Sequence, residues 1–427
     1  MIKRRILVTF FSISFLISPI FATHTVNRYF PFLDKTEDYI TQKRSYTSPA
    51  LFMTTARTAF HREEGNTVTI PSLLGDYDLK DVIESVQLAR QNSSYNPFDD
   101  EPGYVDWNEK EIKFKVDGKV KSRGVILAHE QNIFKLPFSV GFFLPIMHVN
   151  TSQRFAFHAD GSDAVVQNLN AGELELIDRV RREVHDEIGL YGDDWSGTGI
   201  GDLDVHLRYQ KEFDHKLKMR TITLAMQPGI LFPISSRADF NYPSSVPFMG
   251  NKHWGVYLDV VSEFELKQNW KTGLMFGFVE LFRKTHNMRV PAHKESPAFS
   301  ALVGDIEINP GFTFKFSPYF TLENISDGLS LQLRYDYVRH GNDIWKDVRV
   351  DKSVNTYLDR DQETKDEKYT LTKWVMHYLT MQLRYDSQEA MKNWWFKPNL
   401  YATYNYPFKG RGSAKTHQFM FGIELNW

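Results

Sequence analysis

The sequence predicts an all-β fold, namely a transmembrane antiparallel β-barrel of about twelve strands with helical insertions in long extracellular loops. Three observations carry this prediction. Apolar and polar residues alternate along many segments, so each face of a strand receives one kind of side chain. The connections between these segments alternate between short and long, as in single-chain barrels. The mean hydropathy is only -0.41 although aromatic residues make up 15% of the chain, because half of each barrel strand faces the lumen and can be polar.

Six segments carry a clear alternation, and six further segments are plausible strands. The clearest is the C-terminal one, in which Phe419, Phe421, Ile423, Leu425 and Trp427 share one face. Its terminal aromatic residue resembles the assembly signal that outer-membrane proteins present to the barrel assembly machinery. Strands are predicted near 48–60, 119–131, 136–148, 202–209, 221–232, 253–266, 271–285, 305–316, 329–337, 375–385, 394–407 and 418–427. The segment 271–285 leaves its outward face undecided, because both of its faces are apolar or small.

The connections support an even number of strands. Periplasmic turns are predicted near 132–135, 213–216, 267–270, 317–320 and 387–391. Outer connections are predicted at 61–118, 149–198, 235–252, 286–301, 341–370 and 408–413, and five of these six are long. Two outer loops also contain helical periodicity, one around Leu79 to Val86 and one around Leu176 to Ile188. We interpret both helices as packing over the barrel mouth, with a gate or a receptor surface as the alternative.

The N-terminus predicts a cleavable signal peptide over residues 1–22. Lys3, Arg4 and Arg5 precede an apolar run, and Ala22 ends a region of small residues suited to cleavage. The apolar run is shorter than the roughly 20 residues that a spanning helix needs. Residues 23–47 are polar and aromatic without a clear period. They are typical of a periplasmic extension or of a plug that enters a lumen, and residues 48–427 are expected to form the barrel.

Composition excludes several classes of function. Cysteine is absent, which excludes disulfides, thiolate zinc sites and cysteine catalysis. The 51 basic and 53 acidic residues nearly cancel, so nucleic acid is not an expected partner. The histidines show no metal-ligand spacing. We therefore expect no metal, no cofactor and no enzymatic activity.

Charged residues on the polar faces of the predicted strands are candidates for lining the lumen. They are Asp202, Asp204, His206, Arg208, Asp305, Glu307, Lys315, Arg334, Asp336, Arg384, Lys397 and Glu424. Both signs occur, so we expect pairing across the bore rather than ion selectivity by a ring of one charge. A turn centred near 410 and 411 would place Lys397 opposite Glu424, in a pair worth at most about 1 kcal/mol if it stays solvated. Asp204 and His206 could instead form a general acid–base pair, although no catalytic constellation with a serine or a second aspartate accompanies them in sequence.

One region resembles a known family. The segment from Thr198 to Tyr209 contains Gly199-Ile200-Gly201-Asp202-Leu203, and a strand that ends at Leu231-Phe232-Pro233-Ile234-Ser235 follows it. This arrangement resembles the outer-membrane barrels of the meta-pathway of phenol degradation, which are porin-like transporters distantly similar to long-chain fatty-acid channels. The family's glycine after the proline is missing here. The match covers about 40 of the 427 residues, and it indicates the type of barrel rather than the solute.

The resemblance implies a porin-like channel or transporter in the bacterial outer membrane for small molecules, hydrophobic ones among them. Its expected partners are outer-membrane lipid, the barrel assembly machinery and a small-molecule solute. Two alternatives stay open. One is a surface adhesin or structural barrel, which the long outer loops favour. The other is an outer-membrane hydrolase that uses Asp204 and His206.

Overall fold

A computed structural model describes residues 26–32, 45–63, 65–98, 110–133, 136–158, 162, 169–214, 219–292, 294–356, 358, 372–387 and 398–426. Within them, twelve antiparallel strands close into one barrel, which confirms the predicted fold class. The strands are β1 (Tyr46–Ala56), β2 (Lys113–Asn132), β3 (Phe138–Phe157), β4 (Leu203–Asp214), β5 (Thr221–Phe232), β6 (Gly255–Lys267), β7 (Trp270–Leu281), β8 (Thr313–Ser326), β9 (Leu329–His340), β10 (Trp374–Asp386), β11 (Asn399–Arg411) and β12 (His417–Asn426). The predicted signal peptide and Trp427 lie outside the described residues.

Pairing of the first strand with the last one closes the barrel. Tyr46 of β1 faces Asn426 of β12, and the other side of β1 pairs with β2 along its whole length. Every barrel strand therefore has two hydrogen-bonded neighbours, and the sheet has no open edge in the region that lipid would surround.

The outer face of the barrel is an apolar belt. On β12, Phe419, Phe421 and Ile423 are between 37% and 45% exposed, while the residues between them face the interior. In β7 the apolar residue Leu274 points outward, and Gly273 and Met275 are buried, which decides the face that periodicity left open. Alternation with apolar residues outside is the pattern a strand needs between lipid and lumen.

Three tyrosine rings inside the barrel each lie over a glycine of the neighbouring strand. The pairs are Tyr257 over Gly229, Tyr319 over Gly273 and Tyr401 over Gly422, and in each pair the two residues are directly opposed in register. A Cβ atom built on any of these glycines would lie 2.2–2.3 Å from a ring carbon. Glycine lets the rings lie along the wall, where they fill the bore without crowding the centre.

The outer connections carry the remaining structure. Helix α1 (Leu79–Arg90) and helix α2 (Ala171–Glu187) pack against each other's apolar faces and against the outer ends of β2 and β3 in one cluster. Short 3-10 helices lie at Pro71–Leu74 and Pro297–Phe299, and short strands at Ala59–Phe60, Thr67–Val68, Tyr77–Asp78, Asp194–Ile200, Lys284–Arg289, Val303–Asn309, Ile344–Asp347 and Ser413–Ala414. None of the helices within the described ranges is both long and apolar enough to cross a membrane.

One predicted barrel strand was wrong. The segment 305–316 is divided, because Val303–Asn309 forms a separate three-stranded sheet with Lys284–Arg289 and Ile344–Asp347. There Ile306 and Ile308 are buried against Val290 and do not face lipid. The barrel strand β8 begins only at Thr313 and runs through the predicted turn 317–320 to Ser326. The alternation has the same form in both pieces, so periodicity could not separate them.

Candidate functional site

A short N-terminal segment lies inside the barrel. In this segment, residues 26–32, Tyr29, Phe30 and Phe32 are all buried. The ring of Phe32 meets the ring of Phe52 on β1 edge to face, with 5.3 Å between centroids. The Tyr29 carbonyl accepts a hydrogen bond of 2.7 Å from the Thr416 hydroxyl, at the outer hairpin between β11 and β12. The segment therefore packs on the lumen side of the wall near its outer end.

An outer loop, residues 233–254, closes over this segment. The Asn27 amide donates hydrogen bonds to the carbonyls of Pro247 (2.7 Å) and Met249 (3.2 Å). The buried Asp202 carboxylate accepts from the backbone N–H groups of Ser235 (3.3 Å) and Gly250 (2.8 Å). Loop 233–254 is thus tied both to the N-terminal segment and to the start of β4.

The glycines of the resemblance motif make room for this loop. A Cβ on Gly199 would lie 2.3 Å from the Phe248 ring, and a Cβ on Gly201 would lie 2.7 Å from the Met249 side chain. The Gly201 N–H also donates to the Pro145 carbonyl of β3 at 2.7 Å. At this point the pairing partner of β3 changes from the short strand Asp194–Ile200 to β4. The motif therefore positions an outer loop, a role that its sequence did not reveal.

A cavity of about 300 Å³ lies at the outer mouth, between the N-terminal segment and the outer loops. Its apolar and aromatic walls include Phe240, Tyr242, Met249, Leu281, Met288, Trp345 and Trp374. Polar side chains at its walls include Asn27, His253, His286, His340, Asp343 and Arg289. A mostly apolar pocket with a few polar groups is the usual form of a small-molecule site. Sequence reasoning missed this site, because its walls come from the N-terminal segment and several separate outer connections.

Arg289 holds the loops around the cavity together. Its guanidinium donates to the carbonyls of Phe240, Ser300 and Ile188 at 2.7–2.9 Å. Burial lowers the pKa of Arg289 to about 10, so the side chain stays protonated at neutral pH and keeps all these donors. The cavity wall is therefore pre-formed by a fixed hydrogen-bond network.

Two histidines face each other at the cavity wall. His253 and His286 are 3% and 7% exposed, and their Nε2 atoms are 3.0 Å apart. Burial lowers the pKa of both, to about 4 for His286, where neighbouring His253 adds to the effect. Both imidazoles are therefore neutral at pH 7.

His340 forms a second polar group with Asp343. The His340 Nε2 lies 2.9 Å from the Asp343 carboxylate, which also accepts from the Gly311 N–H at 2.8 Å. The His340 ring stacks on Trp374, with 5.3 Å between centroids. This arrangement fixes the end of β9 and one edge of the cavity.

The polar residues on the inner face of β4 form hydrogen bonds and an ion pair with residues of neighbouring strands. Asp204 accepts from the Tyr257 hydroxyl at 2.7 Å and lies 3.0 Å from His206 Nδ1. A Cβ on Gly141 would lie 2.3 Å from His206 Nε2, so this nitrogen faces the backbone of β3. Arg208 makes a buried ion pair with Glu130 at 3.1 Å. Glu130 was not among the predicted lumen residues.

The polar stripes of β9 and β10 also form networks. Arg334 pairs with Asp336 at 2.9 Å, and the Ser317 and Thr380 hydroxyls donate to the same carboxylate. Lys315 on β8 is completely buried. Arg334 and Asp336 therefore neutralise each other, as buried charges require.

Glu424 has other neighbours than those predicted. It lies opposite Asn399, whose amide donates to it at 3.1 Å, and Arg384 donates to it at 3.3 Å. Because Asn399 lies opposite Glu424, the predicted register, with Lys397 in that position, was wrong by two residues; Lys397 itself lies outside the described residues. The hairpin is centred between Arg411 and Gly412, one residue further along the chain than predicted, and Gly412 adopts a positive φ of 61° there.

Asp305 and Glu307 lie outside the barrel wall. Both belong to the loop strand Val303–Asn309, where Asp305 is exposed and accepts from the Asn287 amide at 3.1 Å. The prediction that they line the lumen was wrong, because Val303–Asn309 belongs to the separate three-stranded sheet and not to a barrel strand. Within the described part of the chain, no group of three or more histidine or acidic residues is arranged to hold a metal ion.

No protein family matches the chain, and neither does any curated protein. Among solved structures, the chain is similar to the COG4313 outer membrane channel from Pseudomonas putida F1, with a TM-score of 0.46, 9% identity, and coverage of 92% of this chain and 100% of that one. It is also similar to the translocator domain of autotransporter NalP from Neisseria meningitidis, with a TM-score of 0.37, 9% identity, and coverage of 92% and 91%. The Pseudomonas putida toluene transporter TodX has a TM-score of 0.29, 7% identity, and coverage of 95% and 96%.

Proposed function

We propose that this chain is an outer-membrane transporter for small, mainly apolar molecules, which it binds in the cavity at the outer mouth. The observation that carries the proposal is the cavity itself, of about 300 Å³, with the N-terminal segment as one of its walls. The apolar belt and the closed sheet supply the membrane setting.

The cavity walls indicate the class of solute. The two indoles of Trp345 and Trp374, with Met249 and Met288, offer flat and polarisable contact surfaces. Asn27 and the histidines add polar surface to these walls, although most of their hydrogen-bonding atoms already have partners within the protein. These walls suit a compact aromatic molecule with a polar substituent better than an ion, because they are mostly apolar and the charged groups Arg289 and Asp343 already have partners.

In this proposal the N-terminal segment is the plug. It separates the cavity from the rest of the bore, because Phe30 and Phe32 pack in one apolar cluster with Phe52, Met147 and Tyr401 from the wall. Solute that enters the cavity passes onward only when residues 26–32 move. The hydrogen bonds at Asn27 and Tyr29 are the contacts that must break.

A reversible cross-link tests the plug. The chain has no cysteine, so the pair Arg28→Cys with Ala414→Cys introduces the only two thiols. The Ala414 N–H donates to the Arg28 carbonyl at 3.1 Å, which brings these two backbones side by side. We expect proteoliposomes that contain the oxidised variant to lose uptake of small aromatic compounds, and reduction to restore it. Uptake that is equal in the oxidised and reduced forms would contradict the plug.

A matched control places the disulfide away from the segment. Thr285 and Glu307 are directly opposed in the loop sheet, so Thr285→Cys with Glu307→Cys adds a similar cross-link that leaves residues 26–32 free. Uptake should not respond to its oxidation. A barrel that binds no solute and passes none, but retains its heat-modifiable gel mobility, would favour the adhesin. Hydrolysis of a lipid or peptide that disappears in His206→Ala would favour the hydrolase.

A further inference from the structure

The two buried histidines at the cavity wall come from different outer connections. His253 lies near the end of loop 233–254. His286 lies 33 residues further along the chain, in the loop strand Lys284–Arg289. Their rings have centroids 4.7 Å apart and are tilted by 53°. No spacing rule in the sequence could have paired them, because the fold alone brings the two connections together.

Hydrogen bonding fixes the protonation of the pair. His253 Nδ1 lies 2.8 Å from the Phe282 carbonyl, an acceptor, so Nδ1 carries the proton and Nε2 presents a lone pair. The facing His286 Nε2 therefore donates to it. An Nδ1–H bond to a backbone carbonyl is also the arrangement that orients histidines which bind metals through Nε2.

We propose that His253 and His286 form a chelating site for a first-row divalent transition ion, with Cu²⁺ bound more tightly than Ni²⁺ or Zn²⁺. Two imidazole nitrogens at about 2.0–2.1 Å from one ion lie about 2.9 Å apart at a square-planar corner and about 3.3 Å apart at a tetrahedral one. The observed separation of 3.0 Å is close to the square-planar value, and the general order of affinities also favours copper.

Binding requires only small changes in the pair. The ion displaces the hydrogen bond between the rings and sits to the cavity side of the line that joins the nitrogens. The proton of His286 moves from Nε2 to Nδ1, so both ligands remain neutral imidazoles.

The site would be open towards the cavity. No third histidine or acidic group completes a cluster among the described residues, so water or an oxygen atom of a bound solute fills the other coordination positions. Open positions of this kind distinguish binding sites from closed structural ones. The ion could then contribute to solute recognition, but its binding does not depend on the proposed transport function.

Titration of the full chain tests the site. The protein is refolded in detergent without a histidine tag and titrated separately with CuCl₂, NiCl₂ and ZnCl₂. We expect about one Cu²⁺ per chain, and a paramagnetic resonance spectrum with hyperfine coupling from two nitrogens. In His286→Gln the affinity should fall by more than the 10–100-fold that loss of a second-shell partner costs, and the spectrum should show one nitrogen.

The control is His61→Gln, which removes a loop histidine that does not line the cavity. It should bind copper as the unsubstituted chain does. Heat-modifiable gel mobility shows that each variant folds, and His253→Gln checks the second ligand independently. Equal copper affinity in His286→Gln and the unsubstituted chain, or a spectrum with fewer than two nitrogens in the latter, would overturn the proposal. Solute uptake by a chain that does not bind copper would overturn the metal site but would still support the proposed transport function.

Discussion

Gly273→Ala should destabilise the barrel because it removes the space for one of the wall tyrosines. The new Cβ would lie 2.2 Å from Cζ of Tyr319, and strand pairing on both sides fixes the backbone of Gly273. The ring must therefore swing away from the wall. Its hydroxyl then loses the hydrogen bond of 3.0 Å to the buried Glu263 carboxylate.

The magnitude follows from three effects. Overpacking costs about 1–3 kcal/mol, and loss of a hydrogen bond to a charged group costs about 1.5–3 kcal/mol. Alanine regains about 0.5–1 kcal/mol relative to glycine within a strand. The free energy of unfolding should fall by about 1.5–5.5 kcal/mol. In a Tyr319→Ala background the clash is absent, so the same Gly273→Ala change should be neutral or slightly stabilising.

A double-mutant cycle measures this coupling. Urea-induced unfolding from detergent micelles, followed by gel mobility and tryptophan fluorescence, gives the four free energies. The coupling between residues 273 and 319 should be well above the roughly 0.5 kcal/mol within which independent sites add. Gly341→Ala is the control, because the nearest atom to its Cβ lies at 3.4 Å. Additive effects of Gly273→Ala and Tyr319→Ala would refute the argument that position 273 requires glycine because the Tyr319 ring packs against it.

Three further outcomes are expected. Burial lowers the pKa of His185 to about 3, so its contribution to stability is complete above the unfolded pKa of about 6.5 and is lost as pH falls towards 3. The protection factors for amide hydrogen exchange in helix α2, corrected for the intrinsic exchange rate at each pH, should therefore fall with acid, and His185→Phe should abolish this dependence. Asp202→Ala should speed exchange in loop 233–254 while the barrel stays folded, because two N–H groups lose their acceptor; unchanged exchange would contradict the tie. Arg384→Ala should lower the free energy of unfolding more in the unsubstituted chain than in a Glu424→Gln variant. In the unsubstituted chain the change leaves the buried Glu424 carboxylate without this ion pair, and in the variant that carboxylate is absent.

Strand positions could be predicted because lipid enforces a two-residue period. A polar residue on the outer face has no water to bind, so each spanning strand must repeat the pattern. The period fails where an outer loop copies it. Ile306 and Ile308 alternate like barrel residues, but they bury their apolar face against Val290. Both environments exclude water, so the sequence pattern is the same.

Lumen partners could not be predicted, because they depend on register between strands. Arg208 was expected on the inner face, but its partner Glu130 lies two strands away, on β2. The register through β3 places Glu130 level with His206 and Arg208 level with Asn132, so the ion pair forms diagonally across β3. A shift of two residues, such as the one at Glu424, preserves the face of every side chain but changes all its partners.

The interior of the barrel divides into two parts with different resistance to opening. On one side, buried ion pairs such as Arg334 with Asp336 bridge neighbouring positions, and separating them would leave charges unpaired in a dry environment. On the other side, the N-terminal segment rests on apolar wall residues, and its removal exposes apolar surface and breaks a few hydrogen bonds, one of them from the Arg28 guanidinium to the Leu73 carbonyl. An apolar solute that enters can cover the apolar surface that the segment exposes, whereas it cannot supply a partner for an unpaired charge. Movement of residues 26–32 is therefore the least costly way for the outer cavity to connect with the bore.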